Sequence, residues 1–169
     1  MPKRKRKRVT YNRVSSLKIP TPPKPIKSTR KQAVYELDTV YSWRLRVLHA
    51  DKDGNCKCIT CPVVLPWLRI QNGHMISRRI YKRRRNVRNT RPQCKTCNLF
   101  KNGNYWVYYD VMRKRDPELA DIYFEGNYAG KRELANYTTA SLQDQIRLYE
   151  KKLLQEAKKK SIDIRHCTG

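Results

Sequence analysis

The sequence predicts an α+β protein of 169 residues: a small zinc-stabilised core flanked by α-helices, preceded by a disordered basic arm. Three observations carry that expectation. Two C-x-x-C pairs, Cys58-Ile-Thr-Cys61 and Cys94-Lys-Thr-Cys97, have the spacing of one tetrahedral metal site. Apolar residues recur at helical spacing on both sides of those pairs. Residues 3–8 are an unbroken run of Lys and Arg, and prolines follow.

Residues 1–27 read as the arm. Like charges repel within Lys3 to Arg8, and Pro20, Pro22, Pro23 and Pro25 favour an extended linker. The arm reads either as a tail for solubility or targeting, or as a strand of charge that follows phosphates. Residues 28–53 form the first structured unit. Ser28 can cap a helix that runs to residue 50, with Ala33, Leu37, Val40, Tyr41, Leu45 and Leu48 on one stripe. Asp53-Gly54 marks the turn that follows. Residues 54–115 form the core, which ends in a helix over 105–115. Its Tyr and Trp residues read as core packing before a base-stacking platform. Residues 116–160 are helical: Asp116-Pro117 interrupts the chain, a short helix runs to Phe124, and Gly126 to Gly130 is a loop. A last helix starts near Ser141, with Asp144 as its box partner, and carries Leu142, Ile146, Leu148, Tyr149, Leu153 and Leu154. Residues 161–169 are a tail.

Charge narrows the function. Lys and Arg number 39 against 14 Asp and Glu, a formal charge of +25. Apolar residues make up 38%, below the usual 45–50% or so, so the core is small. No apolar run approaches the roughly 20 residues of a membrane span. The basic start has no apolar stretch of the secretory type behind it, so neither a membrane nor a secreted protein is expected. The counter-surface such a charge asks for is a polyphosphate backbone, with an anionic membrane surface as the weaker competitor. Residues 54–109 hold twelve Lys or Arg and no acid. Eight of those twelve, Arg78, Arg79, Lys82, Arg83, Arg84, Arg85, Arg88 and Arg91, fall within fourteen residues. They read as a phosphate clamp, with Lys101 beyond them.

The cysteines read as a structural zinc site made of Cys58, Cys61, Cys94 and Cys97, with redox cysteines as the competing reading. Cys56 can replace Cys58 by spacing alone. Cys167 reads as a free thiol in the tail. Four thiolates leave no open position, so this zinc is not expected to be catalytic.

Between and beside the two pairs lie Gly73-His74, Arg88-Asn89, Gln93-Cys94, Cys97-Asn98, Lys101 and Gly103-Asn104. This run resembles the HNH nucleases, and more closely the phage NinG (Rap) recombination endonucleases, over about residues 35–157. The resemblance implies a ββα-metal fold, which supplies the β part of the expected class. It implies that His74 is a general base on the first strand. Asn89 would orient His74 by a hydrogen bond, and Asn98 would ligate a catalytic Mg²⁺ or Mn²⁺ near the start of a helix. One departure stands out. Many HNH enzymes place a ligating Asp just before the His, and here that residue is Gly73. Gln71, Asp110 or a carboxylate from outside the loop would have to complete the shell.

The resemblance further implies an endodeoxyribonuclease acting in DNA recombination on branched intermediates such as Holliday junctions. It implies a bacteriophage protein working in the host cytoplasm. Two symmetric cuts would need two active sites, so a homodimer is expected. The helix at 141–157 is one candidate interface, and packing within the chain is the other use for it. The alternative function is a non-catalytic Cys₄ zinc protein that binds nucleic acid. It explains the charge and the cysteines but not the positions of His74, Asn89 and Asn98.

Overall fold

The computed structural model describes residues 29–124 and 137–167. The elements run α1 (Arg30–His49), β1 (Asn55–Lys57), β2 (Val64–Pro66), β3 (Gln71–His74), α2 (Tyr81–Arg84) and β4 (Thr90–Gln93). A π-helical turn (Thr96–Phe100), α3 (Tyr105–Arg115), α4 (Pro117–Phe124), α5 (Thr139–Lys160) and a final 3₁₀ turn (Arg165–Cys167) complete them. The class is α+β, with two separate antiparallel pairs, β1–β2 and β3–β4. The arm expected over 1–27 and the loop expected over Gly126 to Gly130 lie outside the described residues.

Local chemistry sets the helix ends. Thr29 caps α1: its hydroxyl accepts from Gln32 N, and Gln32 Oε1 accepts from Thr29 N at 2.7 Å, a reciprocal box. Thr138, three residues ahead of the expected Ser141, caps α5 by accepting from Ser141 N. The last carbonyls of α1 find a donor at the far end of the chain. Lys160 Nζ donates to Val47, Leu48 and Ala50 O, at 3.2, 2.7 and 2.6 Å. A lysine there satisfies orphan acceptors and complements the negative end of the helix.

The main core lies between α1 and α5. Ala33, Leu37, Val40, Trp43 and Val47 of α1 meet Leu142, Ile146, Leu153 and Ala157 of α5, with Trp67 and Ile70 beneath. The intramolecular use of the last helix is therefore the one observed. Leu148 and Leu154, expected in its stripe, are 48% and 50% exposed. They lie two residues past Ile146 and one past Leu153, about 200° and 100° around the helix from the buried face. Residues 161–167, expected as tail, bring Ile164 and Cys167 into this same core. A second core forms under α3 and α4 from Met75, Ile76, Tyr108, Met112, Leu119 and Ala120. Among the described residues no helix is long and apolar enough to cross a membrane.

Candidate functional site

Two sites emerge, one of sulfur and one of oxygen and nitrogen. Cys58 follows β1, Cys61 closes the turn before β2, and Cys94 and Cys97 bracket the entry to the π-helical turn. Their four sulfurs all lie within 4.8 Å of one another, and Cys61 Sγ is 3.7 Å from Cys94 Sγ. A tetrahedron with zinc–sulfur bonds of about 2.3 Å has edges of about 3.8 Å, so the cluster fits a structural ion such as zinc. The local charges agree. Burial, then the neighbouring thiols, push Cys61 up to about 12 against the Val63 N–H, whereas at Cys58 burial is outweighed by the Cys94 and Thr60 N–H groups, which pull it down to about 7. Thiols this crowded cannot all ionise without a cation between them. Cys56 plays no part: its buried thiol donates to Arg46 O in the main core. Cys167 is free but buried beside that core.

His74 ends β3, opposite Thr90. Its Nε2 stands 3.0 Å from the Arg84 carbonyl O. A carbonyl only accepts, so this contact favours the neutral tautomer with its proton on Nε2, while the Asn72 carbonyl offers the ring a second acceptor. Burial pushes the imidazole below its ordinary 6.5; the Arg84 carbonyl opposes this, Arg78 adds to it, and the Asn72 carbonyl and Asp38 oppose it. Beside His74 opens a cleft of about 340 Å³, walled by Asp38, Arg46, Gln71, Asn98 and Arg78 among others. Asn98, on the π-helical turn, donates to Gln71 Oε1 at 2.8 Å and keeps its own Oδ1 out of that bond. His74, Gln71 and Asn98 therefore share one cleft.

Asn89 does not join them. It is fully buried, and its amide bonds Ile76 N at 2.7 Å, Ile76 O at 2.9 Å and Arg83 O at 3.0 Å. The expected bond to His74 is replaced by a brace across the loop. By fixing Arg83, Asn89 places the next carbonyl, that of Arg84, on the imidazole. Gly73 has an equally structural cause. A Cβ there would lie 2.4 Å from Gln93 Oε1 and 2.8 Å from Gln93 Cβ. Gln93, wholly buried, is held by bonds to Thr60 Oγ1 and Gly103 O. No side chain fits where an Asp would stand. Asp110, the acid next downstream, is not in the cleft wall.

The basic residues divide by their partners. Arg78, Arg79 and Lys101 are exposed, and Arg83 is half-buried. Arg84 and Arg85 both bind Asp38. Arg88 is held by Asp116 and Glu118, pinning the loop to the α3–α4 junction. Arg91 donates to the Val87 and Thr90 carbonyls. The side chain of Lys82 lies outside the described ones. Of the aromatic run, Tyr108 is buried as expected, whereas Trp106 is 78% exposed. Beside the cleft, Leu99 and Phe100 are also exposed.

Sequence reasoning missed Asp38 and Arg46, both on the cleft wall. The signal was present as a polar stripe. Asp38, Ser42 and Arg46 repeat every four residues alongside the apolar Leu37, Tyr41 and Leu45. Arg46 bonds the Ser42, Leu68 and Ile70 carbonyls, and burial pushes it down to about 10. Comparison with family models, with curated proteins and with solved structures gives no match.

Proposed function

We propose that the protein is a metal-dependent, HNH-type endonuclease that hydrolyses DNA phosphodiester bonds. The observation that supports this best is His74: an imidazole with Nε2 against a backbone carbonyl, lining a cleft that also carries the exposed Arg78. In this reading the ββα-metal unit is β3, β4 and the helical turn bearing Asn98. Its folding ion is zinc on the four cysteines.

The chemistry follows from the tautomer. Nδ1 of neutral His74 takes a proton from a water whose oxygen attacks phosphorus, and the P–O bond to the leaving oxygen breaks. Nε2–H on the Arg84 carbonyl holds the ring and stabilises the imidazolium that forms. Arg78 and Arg79 bind the phosphate and its developing charge. Oxygen donors of Asn98 and Gln71 suit a hard Mg²⁺ or Mn²⁺, which when bound supplies charge neutralisation at the leaving oxygen. By the resemblance, the substrate is a branched recombination intermediate and the setting a phage-infected cell. A homodimer would deliver the paired cuts. Its interface would use a surface other than the α5 stripe, which α1 covers.

A second reading, a non-catalytic zinc protein that binds nucleic acid, draws on Gly73, where the usual ligating acid cannot fit. One experiment separates the two. Wild type and His74→Ala are incubated with labelled four-way junction and matched linear duplex, with Mg²⁺ or Mn²⁺ and with EDTA. We expect metal-dependent cutting by wild type only, a loss of at least about 100-fold in the variant, with binding unchanged. Equal cutting of both substrates would remove the branch preference. Tight binding without cutting would make the second reading correct.

A further inference from the structure

Asp38 is the one acid on the wall of the His74 cleft. It comes from α1, outside the acid-free stretch of residues 54–109. Both its oxygens are occupied by the loop. Arg84 Nε lies 2.9 Å from each oxygen, Arg84 Nη2 also binds Oδ2, and Arg85 Nη1 is 2.6 Å from Oδ1. Arg84 is the same residue whose carbonyl holds His74 Nε2. One loop residue therefore masks the acid and orients the imidazole.

The mask is built to be exchanged. Two guanidiniums share one carboxylate, so the group keeps an excess positive charge. The Asp38 and Arg84 side chains are 27% and 28% exposed, whereas Arg85, 7% exposed and stacked on the Tyr81 ring, is the fixed member of the pair. Asp38 and Arg84 face a second cleft of about 670 Å³ that also carries Arg78 and Arg79. A phosphodiester drawn there by Arg78 and Arg79 presents two oxygens with the geometry a guanidinium accepts from a carboxylate. Once Arg84 turns to phosphate, Oδ2 of Asp38 is freed into the cleft that the Gln71 and Asn98 amides also line, while Arg85 stays on Oδ1. A carboxylate with two neutral oxygens is a hard-cation donor set.

We propose that Asp38 is a gated metal ligand: Arg84 covers it until a DNA phosphate draws the guanidinium away, and the freed carboxylate oxygen then binds the divalent cation. This rests on the nuclease reading for its phosphate, but it is tested by binding alone. If DNA opens the site to metal, linkage requires metal to tighten DNA by the same factor.

Mn²⁺ titrations followed by electron paramagnetic resonance read the gate directly. Without DNA, the variant Arg84→Gln is expected to bind Mn²⁺ about tenfold tighter than wild type. Adding Asp38→Asn is expected to erase that gain. An unchanged affinity, or a gain that survives Asp38→Asn, overturns the proposal. Should the arginine variant fail to fold, a second arm decides. In a His74→Ala background, a short duplex is expected to raise Mn²⁺ affinity about tenfold with Asp38 present and to leave it unchanged in Asp38→Asn. An equal rise in both overturns the gate. A wild type that cuts nothing while these shifts appear removes the nuclease reading and leaves the gate standing.

Discussion

In the proposed nuclease, His74 would owe its role as base to a partner ten residues along the chain. The Arg84 carbonyl fixes Nε2–H, and burial keeps the ring neutral to lower pH than a free imidazole. The sign is straightforward. A protonated ring cannot accept a proton, so cutting is lost as pH falls through the His74 pKa, which lies below 6.5. The pH profile of kcat/KM should therefore be flat near neutrality and fall on an acid limb below 6.5. A limb centred above 7 would place the titrating group elsewhere. Gly73 supports a second prediction. Gly73→Asp restores the acid of the commoner motif, yet its Cβ meets Gln93 at 2.4 Å. The variant should lose about 1–3 kcal/mol of stability in denaturant melts and gain no metal affinity. At this scale the sequence was legible where residues act through local spacing: the four cysteines form one cluster, and His74, Asn98 and Gln71 line one cleft. Asp38 was not, because its partners lie 46 and 47 residues away and a lone acid on a helix looks like surface. Asn89 was misread because its three backbone bonds depend on a loop shape that no periodicity encodes.

Elements were legible in proportion to their length. α1, α3 and α5 carry at least three turns of apolar period, so their ends agree with expectation within a few residues. β1 to β4 span three or four residues each, too short to show a period of two. They hold because other things tie them. Just past β1, Cys58 N donates to Val63 O, Ile59 N donates to Pro92 O, and the thiols bridge both hairpins. The sulfur cluster is thus what joins β1–β2 to β4 and the turn carrying Asn98. Removing its ion should cost several kcal/mol and lower Tm by on the order of 10 °C. A chelator titration with calorimetry checks this, and Cys94→Ser should reproduce it. Cutting should disappear together with the ion, since β3–β4 and the Asn98 turn lose their common anchor. An unchanged Tm in metal-free protein would mean the hairpins are held by the two apolar cores alone.

For the whole molecule, +25 overstates the charge available to DNA. The fold spends part of its basic loop internally. Arg88 makes three bonds to Asp116 and Glu118, and Arg91 serves backbone carbonyls. Among the described side chains of the expected clamp, Arg78, Arg79, Lys101 and Arg88 stand exposed, and of these Arg88 is already held by Asp116 and Glu118. This divides the clamp into two classes that one salt titration separates. Binding falls with salt in proportion to the phosphates neutralised, by roughly 0.9 in the log–log slope for each. Arg79→Ala should therefore weaken binding to any sequence and reduce the slope by about one, with Tm unchanged. Arg88→Ala should do the reverse: the slope stays, and Tm drops because Asp116 loses its cation at the α3–α4 junction. A slope that falls equally in both variants would mean that DNA pulls Arg88 from its acids as well, extending to Asp116 the exchange drawn above for Asp38. Composition could count these arginines but not sort them, because what sorts them is which acid the folded chain brings within 3 Å of each.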